Sequence, residues 1–265
     1  MHKKIAFCFL VYYRINLTDV WQEFFNNIDT NLYNIYIHYK VERPMGYFEP
    51  YKLKNCIETK YENETIPLAY NILFRKAYED PENFKFIILS DSCIPMKSFK
   101  YIYNHLTKDD KGYFYECKKS DCFPVCDTLI EYIEPEHISK SFNWFIINRN
   151  LVEALCFDKD NILTSYYSSV YAPAEFFYLT FIRKLNLENN IICFQGEPTH
   201  APTFANWSSV DYKYPNTKEG LKEYTTISKN ELLYLMNSPC LFARKFEAEC
   251  ITSLFKKEYI LHITT

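Results

Sequence analysis

The chain of 265 residues is 48% hydrophobic and 18% aromatic, which provides for a substantial core and argues against a disordered protein. Its net charge is −3 and no Lys/Arg cluster marks a basic face, so a general nucleic-acid binder is a poor candidate. The four glycines, Gly46, Gly112, Gly196 and Gly220, are too far apart for a G-x-G-x-x-G or P-loop motif, which argues against dinucleotide-dependent oxidoreductases and P-loop NTPases.

Strands and helices alternate along the first 110 residues. The apolar run 5–13 predicts a buried first strand, because it is much shorter than the roughly 20 residues that span a bilayer. The elements that follow are a helix with Asp19 as its cap, a strand at 34–40, a helix at 67–80, a strand at 84–90 and a helix from Ser98. This order favours an α/β fold with a mostly parallel, doubly wound central sheet flanked by helices.

The second half of the chain has a less regular pattern. It predicts strands at 112–117, 142–149 and 190–195, and helices at 173–185, from the capping box at Ser228, and at 246–257. No internal repeat, low-complexity tract or linker interrupts the chain, so we expect one domain over residues 1–265.

In the stretch FIILSDSCIPM (86–96), four polar residues follow a predicted buried strand. In α/β proteins, side chains at such strand ends commonly line a functional site. Asp91 raises the question of a metal site, and Cys93 that of a nucleophile. A single carboxylate is a poor ligand set for a hard cation, and the sequence identifies no His to activate the thiol. We therefore interpret the stretch as the wall of a pocket whose chemistry lies elsewhere.

Glu175 lies in the first turn of the predicted helix at 173–185, ahead of a heavily apolar run. A first-turn carboxylate commonly complements the positive end of the helix dipole, which explains Glu175 without any function. The alternative is a general base at the edge of a hydrophobic pocket, where burial can tune its pKa.

Arg244 and Lys245 are adjacent cations in the apolar segment CLFARKF (240–246). One interpretation is a solvated basic pair. The other is a clamp on a phosphate or diphosphate, for which the planar guanidinium and the compact ammonium are suited in different ways.

Two segments, FNWFIINRN (142–150) and FANWSS (204–209), each carry an Asn-Trp pair among other aromatic residues. A buried Trp usually belongs to the core. A Trp beside amides and hydroxyls also makes a platform for a sugar, since the ring contacts the pyranose face and the polar groups bind its hydroxyls.

The ten cysteines do not indicate a disulfide framework, because the chain is long enough to fold without one. Four lie in or beside apolar runs, where a free thiol behaves as a small hydrophobe: Cys8, Cys93, Cys156 and Cys193. Cys117, Cys122 and Cys126 form C-x4-C-x3-C, which is not a standard zinc spacing. With no signal peptide evident, we expect a soluble intracellular, cytoplasmic protein without a membrane anchor. Its abundant Tyr, Phe, Asn, Lys and Ile suggest an AT-rich genome, such as that of a large DNA virus.

Five segments occur in an order that resembles the core-2/I-branching β-1,6-N-acetylglucosaminyltransferase family: FIILSDSCIPM, FNWFIINRN, APAEFFYLT, NWSS and LFARKF. The plant-type branch of that family has LLSESCIPL, QWF…NR, DEHY and FLFARKF at the corresponding places. The opening KIAFCFLVYYRINLTDVWQEFF and the segment IYIHYK also fit, so the resemblance covers nearly the whole chain.

The resemblance implies a GT-A type fold, an inverting mechanism, a UDP-sugar donor and no requirement for a divalent metal. The missing Asp-x-Asp after the strand at 84–90 agrees with the last point. By position, Glu175 matches the catalytic base of the family, and Lys245 matches the basic residue that contacts the donor diphosphate. Arg244 and Lys222 are the further candidates for diphosphate binding.

The same resemblance assigns residues to the donor pocket and to sugar binding. Asp91, Ser92 and His38 are expected in the donor pocket. The animal enzymes have His-Val-Asp at the second strand, where this chain has His38-Tyr39-Lys40, so their aspartate contact to the nucleoside is missing. The residues expected to contact the acceptor or the transferred sugar are Asn143, Trp144, Trp207 and Ser208.

We therefore expect a glycosyltransferase that moves a sugar, with GlcNAc favoured, from a UDP-sugar to a glycan or glycopeptide hydroxyl and forms a β-linkage. Residues 1–110 would form its nucleotide-binding part, and residues 111–265 its acceptor and catalytic part. Two alternatives remain open: a transferase of the same fold that uses UDP-xylose or UDP-glucose, and a non-catalytic glycan-binding protein on a decayed transferase scaffold.

Overall fold

The computed structural model describes residues 3–118, 129–130, 132–157, 170–207, 221–251 and 253–265. The strands within these ranges are β1 Lys4–Val11, β2 Tyr33–Tyr39, β3 Asn83–Ser90, β4 Ile94–Pro95, β5 Gly112–Tyr115, β6 Ile146–Asn148, β7 Ile191–Phe194, β8 Thr203–Ala205 and β9 Phe242–Arg244. The central sheet has six strands in the order β2-β1-β3-β6-β5-β7.

Five strands of the central sheet run in one direction and β6 runs against them. β1 pairs in parallel with both β2 and β3, and β5 pairs in parallel with β7. β6 lies between the two groups and is antiparallel to β3 and to β5. The predicted α/β class, with a mostly parallel central sheet flanked by helices, is confirmed.

The helices of the described residues are α1 Thr18–Phe25, α2 Thr65–Tyr78, α3 Phe99–Thr107, α4 Arg149–Cys156, α5 Ala174–Lys184, α6 Lys229–Asn237 and α7 Ser253–Thr264. Short 3₁₀ turns cover Thr30–Leu32, Gly46–Tyr51, Glu188–Asn190 and Pro198–His200. The predicted caps at Ser98 and Ser228 are confirmed, because each hydroxyl accepts a hydrogen bond from a backbone N–H of the first turn.

Two helix predictions were wrong in detail. Leu17 precedes α1 as its N-cap, and Asp19 lies inside the first turn, where its carboxylate pairs with Lys256. The last helix begins at Ser253 and ends at Thr264, whereas the pattern placed it at 246–257. Residues 246–250 are instead tied to neighbouring loops, since Phe246 N donates to Ser92 O and Glu247 N donates to Tyr224 O.

A second, three-stranded sheet has the order β4-β9-β8, and the sequence analysis predicted none of its strands. β9 pairs antiparallel with β4 and parallel with β8. The three strands are two or three residues long, so none shows an alternating pattern that could be recognised in the sequence.

The two faces of β1 contribute to separate apolar clusters, because successive side chains of a strand point to opposite faces. Phe7 and Phe9 pack on one face against Trp21 of α1. Ala6 and Cys8 lie on the other face in a cluster that includes α2 and α5. Burying each aromatic ring stabilises the fold by roughly 1.5–3 kcal/mol, so both helix layers are held firmly on the sheet.

The eight cysteines in the described part of the chain are free thiols. Cys8, Cys93 and Cys156 are buried as predicted. Cys193 is exposed, contrary to the apolar pattern around it, because β7 is an edge strand. Cys122 and Cys126 lie outside the described residues. Within the described ranges, no helix combines the length and the hydropathy needed to cross a membrane.

Candidate active site

Side chains at the carboxyl ends of β1, β2 and β3 line a cavity of about 690 Å³, the first cavity. Val11 and Tyr12 come from the end of β1, Lys40 from the end of β2 and Asp91 from the end of β3. Because the three strands are parallel, these ends meet at one edge of the sheet, which is where α/β proteins bind ligands.

The small sheet brings Arg244 and Lys245 to the wall of the first cavity. β4 follows β3 almost immediately along the chain, and β9 pairs with β4. Phe246 N also donates a 2.9 Å hydrogen bond to Ser92 O, which ties the end of β9 to the end of β3. Two cations from near the end of the chain thereby lie at the carboxyl ends of β1, β2 and β3.

The guanidinium of Arg244 lies 4.2 Å from the ring centre of Trp144, in cation–π geometry. The Arg244 Nε atom is buried and has no hydrogen-bond partner in the part of the chain that the structure describes. No carboxylate among the described residues forms an ion pair with Arg244 either. The stacking holds the guanidinium plane in place and leaves its donors available to an anionic ligand.

The two lysines predicted to bind a diphosphate both pair with carboxylates. The ammonium of Lys245 pairs with Glu223, and both residues line the first cavity. Lys222 Nζ lies 2.9 Å from one carboxylate oxygen of Glu231 and 3.2 Å from the other. Lys222 is absent from the first cavity's lining, so the structure brings Arg244 and Lys245 together there without Lys222.

A second cavity, of about 790 Å³, opens at the carboxyl ends of β5 and β7. Its wall includes Tyr115, whose ring stacks on Phe142 with 4.4 Å between ring centres. Glu116, also on the wall, accepts hydrogen bonds from Gln195 at 2.7 Å and from Arg183 at 2.9 Å. An aromatic surface beside a fixed carboxylate suits a polyhydroxylated ligand.

The two cavities share part of their walls, and Glu175 lies in the shared part. The other shared residues are Tyr61, Glu62, Phe142, Ala172 and Trp207. Glu175 is the second residue of α5, and its backbone N–H donates to Ala172 O at 3.0 Å. The first turn of α5 thus presents one carboxylate to both cavities.

Within the described part of the chain, the carboxylate of Glu175 has two polar contacts, one on each oxygen. Oε2 lies 3.2 Å from Lys140 Nζ, and Oε1 accepts a hydrogen bond from Asn143 Nδ2 at 3.3 Å. Burial raises the pKa of Glu175 above its ordinary value, and the nearby Lys140 ammonium acts in the opposite direction. A raised pKa suits a group that takes up a proton during a reaction.

Two buried polar atoms flank Glu175 without a hydrogen-bond partner among the described residues. They are Asn143 Oδ1, on a residue that lines the first cavity, and Ser141 Oγ, on a residue that lines the second. Buried polar groups nearly always have a partner, so unsatisfied atoms beside a cavity indicate a place for ligand hydroxyls or amides.

Of the three residues Asp91, Ser92 and Cys93, the first lines a cavity and the other two lie in the core. Asp91 lines the first cavity, and its Oδ2 accepts a 3.3 Å hydrogen bond from Tyr12 N. Ser92 and Cys93 are 1% exposed and face the interior. Burial raises the pKa of the Cys93 thiol, which opposes formation of a thiolate nucleophile.

His38, expected in the donor pocket, lies in the core behind the first cavity. Its side chain is fully buried, and Nε2 accepts a 3.0 Å hydrogen bond from Ile57 N. Burial lowers the pKa of His38 to about 4, so the ring is neutral. The first cavity receives Lys40, the residue that follows β2, instead.

Three of the predicted sugar-binding residues line a cavity. Asn143 and Trp144 line the first cavity, and Trp207 lines both. Ser208 lies outside the described residues. Lys140 could not be identified from the sequence, because nothing in the segment SKSFNW signals a partner 35 positions away.

Among the described residues, no three His, Cys, Asp or Glu side chains lie close enough to share a metal ion. Besides Asp91 at the end of β3, the carboxylates that line the first cavity are Glu62, Glu175 and Glu223, and the last two lie beside cations. Glu175 is near Lys140, and Glu223 is near Lys245. This arrangement of charged side chains suits an anion better than a divalent cation.

The sequence matches the family model described as Core-2/I-Branching enzyme over residues 5–233. Among curated proteins, the chain is similar to glycosyltransferase BC10 of Oryza sativa subsp. japonica. The two are 25% identical over 170 residues, which is 59% of this chain and 41% of the rice protein. The match therefore spans less than half the length of that relative.

Two solved structures show a weak overall likeness. One is a glycosyltransferase involved in the glycosylation of the major capsid of PBCV-1, at 12% identity and a TM-score of 0.40, covering 98% of this chain and 100% of the other. The second is the WbbM bifunctional glycosyltransferase, at 10% identity and a TM-score of 0.42, covering 99% of this chain and 50% of the other.

Proposed function

The chain belongs to the Core-2/I-Branching enzyme family, and we propose that it is an inverting, metal-independent glycosyltransferase. It moves a sugar, with GlcNAc favoured, from a UDP-sugar to a hydroxyl of a glycan or glycopeptide acceptor and forms a β-linkage. The observation that carries this proposal is the position of Glu175, a half-buried carboxylate in the wall shared by two cavities.

The first cavity is the donor site in this proposal, and the second is the acceptor site. The cations Arg244 and Lys245 support the first assignment, because they lie at the strand ends where a diphosphate would bind. The Tyr115–Phe142 stack and the carboxylate of Glu116 support the second. A base in the shared wall reaches an acceptor hydroxyl next to the anomeric carbon of the donor.

Transfer is a single in-line displacement. The acceptor oxygen forms a bond to the anomeric carbon and gives its proton to Glu175. The bond between that carbon and the β-phosphate oxygen breaks, and its electron pair leaves with UDP. Arg244 and Lys245 stabilise the negative charge that develops on the diphosphate. Inversion of configuration follows from the single displacement and gives the β-linkage from an α-linked donor.

Residues 1–110 form the nucleotide-binding part and residues 111–265 the acceptor and catalytic part of one GT-A type domain in this proposal. We also propose a cytoplasmic location. The free thiols at buried positions such as Cys8 and Cys156 support a reducing compartment.

The variant Glu175→Gln tests the base. We expect it to abolish UDP release from UDP-GlcNAc in the presence of glycan acceptors and to keep UDP binding, because the amide cannot accept the proton but preserves the shape of the site. Glu188→Gln is the matched control, since Glu188 is an exposed carboxylate that lines neither cavity. A Glu175→Gln enzyme at near-full rate contradicts the assignment.

Thermal-shift measurements with UDP, UDP-GlcNAc, UDP-xylose, UDP-glucose and GDP-sugars identify the donor, since a bound nucleotide raises the melting temperature by mass action. A larger shift with UDP-xylose or UDP-glucose would replace GlcNAc as the transferred sugar. Binding of glycans without binding of any nucleotide would indicate a decayed transferase scaffold.

A further inference from the structure

The segment Ser139–Ser141 is fixed along the first two turns of α5. Ser141 N donates a 2.7 Å hydrogen bond to the backbone oxygen of Glu175. Ser139 N donates to Thr180 Oγ1 at 3.0 Å, and the same hydroxyl donates to Ser139 O at 3.1 Å. Ser139 and Thr180 are fully buried, so this segment and α5 form one rigid unit.

Lys140 lies at the centre of this segment and directs its side chain to the catalytic carboxylate. Its backbone oxygen accepts a 2.8 Å hydrogen bond from Cys117 N, which anchors the segment on its other side. The ammonium lies 3.2 Å from Glu175 Oε2 and 6.0 Å from the ring centre of Phe176. Only 29% of the Lys140 side chain is exposed, so solvent screens the pair less than a surface ion pair.

The charged groups around Glu175 act in different directions. Burial and the carboxylate of Glu62 raise the pKa of Glu175, whereas Lys140 and, more weakly, Arg244 act to lower it. Glu62 comes from the loop before α2, and Arg244 from the end of β9. Asn143 donates to the other carboxylate oxygen without adding charge.

We propose that Lys140 is a positioning residue, which keeps Glu175 ionised in its half-buried place and aims Oε1 at the acceptor hydroxyl. The inference rests on the proposed function. Burial without a nearby cation favours the protonated carboxyl, which cannot act as a base. By binding Oε2, Lys140 leaves Oε1, with its single contact from Asn143, as the oxygen that can take up the proton.

The pH dependence of the rate separates this role from a merely structural one. Without the ammonium, Glu175 becomes ionised only at higher pH, so the acidic limb of the rate profile moves to higher pH in Lys140→Met. At pH values below the acidic limb, the rate falls about tenfold for each pH unit by which the limb moves. At high pH, the rate stays within a few-fold of wild type. Lys140→Arg keeps the charge and should restore the profile.

Lys184→Met is the matched control. Lys184 lies on α5 itself, is 28% exposed, and pairs with Glu134 at 3.1 Å, yet it lines neither cavity. We expect its rate profile to match that of wild type. A uniform loss of rate at every pH in Lys140→Met, or a limb that does not move, overturns the proposal.

Carboxyl NMR provides a readout that needs no turnover. In protein labelled with ¹³C at the Glu carboxyl groups, the signal lost in Glu175→Gln identifies Glu175, and its titration is followed in wild type, Lys140→Met and Lys184→Met. We expect a higher midpoint in Lys140→Met alone, and an unchanged midpoint overturns the inference. If Glu175→Gln retains UDP release from UDP-GlcNAc, the proposed function fails instead, whatever the titration shows.

Discussion

At the scale of single residues, the structure changes which cation of the first cavity we expect to be available to a ligand. The resemblance directed attention to Lys245, and the structure pairs Lys245 with Glu223. Arg244 lies on Trp144 with its buried Nε unsatisfied among the described residues. A diphosphate must compete with a carboxylate for Lys245 but can bind Arg244 directly. We therefore expect Arg244 to be the stronger anchor for the diphosphate.

Replacing Arg244 should weaken UDP binding more than replacing any exposed cation. A charge-assisted hydrogen bond contributes roughly 1.5–3 kcal/mol, so Arg244→Met should raise the Kd for UDP about tenfold to a hundredfold. Arg244→Lys should recover part of the loss, because it keeps the charge without the planar fork. Isothermal titration calorimetry with UDP gives these constants.

Lys229→Met serves as the control for the arginine variants, because Lys229 pairs with Glu258 on the surface and lines neither cavity. Its Kd for UDP should equal that of wild type. Unchanged UDP binding in Arg244→Met would assign the diphosphate to Lys245 alone.

At the scale of elements, the sequence predicts the strands and helices with strong periodicity and misses those defined by pairing. β1 and β3 are apolar runs, β2 has an alternating pattern, and the structure confirms all three strands. The sequence predicts no strand at β9, because a strand of three residues exists only through its neighbours β4 and β8. That pairing brings Arg244 to the first cavity, so the local sequence could not locate the cation.

The start of β5 is packed too closely for any side chain. A Cβ on Gly112 would lie 2.9 Å from Ile146 O, 3.1 Å from Leu151 Cδ1 and 3.3 Å from Ile191 Cγ2. Gly112→Ala should therefore force β5 away from its neighbours and lower the free energy of unfolding by about 1–3 kcal/mol. Urea unfolding measures the change.

Lys108→Ala is the comparison for the glycine variant, since Lys108 is an exposed residue shortly before β5. Its effect should stay within about 0.5 kcal/mol. Equal stabilities of the two variants would mean that β5 can shift without cost.

His38 joins β2 to the loop that enters the first cavity, through its hydrogen bond from Ile57 N. Its pKa of about 4 in the folded state lies below the ordinary value of 6.5, so the unfolded chain binds the proton more readily. Its contribution to stability is therefore intact above pH 6.5 and falls as the pH drops towards 4, with a slope of up to about 1.4 kcal/mol per pH unit.

In His38→Gln the amide oxygen can still accept the hydrogen bond, and this part of the pH dependence should disappear. Urea unfolding at several pH values between 4.5 and 7.5 tests this, with His200→Gln as the control on an exposed histidine. Identical slopes for wild type and His38→Gln would show that His38 does not titrate differently on folding.

At the scale of the whole molecule, the two cavities draw on nearly the full length of the described chain. The first cavity alone takes residues from Leu10 to Lys245, and Glu175 connects it to the second cavity. The resemblance identified Glu175 and the Arg244–Lys245 pair because short motifs surround them. Contacts such as Lys140 with Glu175 depend on how α5 packs against the segment before β6, and no local pattern predicts them.

The charge arrangement across the molecule also leads to a prediction about metal ions. A departing UDP needs compensating positive charge, and the first cavity offers Arg244, Lys245 and Lys40 within one wall. A divalent cation needs several oxygen ligands, and among the described residues no three His, Cys, Asp or Glu side chains lie close enough to share one. UDP release from UDP-GlcNAc should therefore continue in EDTA at close to the untreated rate, and added Mn²⁺ should change it less than twofold or so. Loss of activity in EDTA that Mn²⁺ restores would instead assign the diphosphate to a metal ion. The same assay on Arg244→Met closes the argument, because Mn²⁺ should not rescue a site whose positive charge comes from side chains.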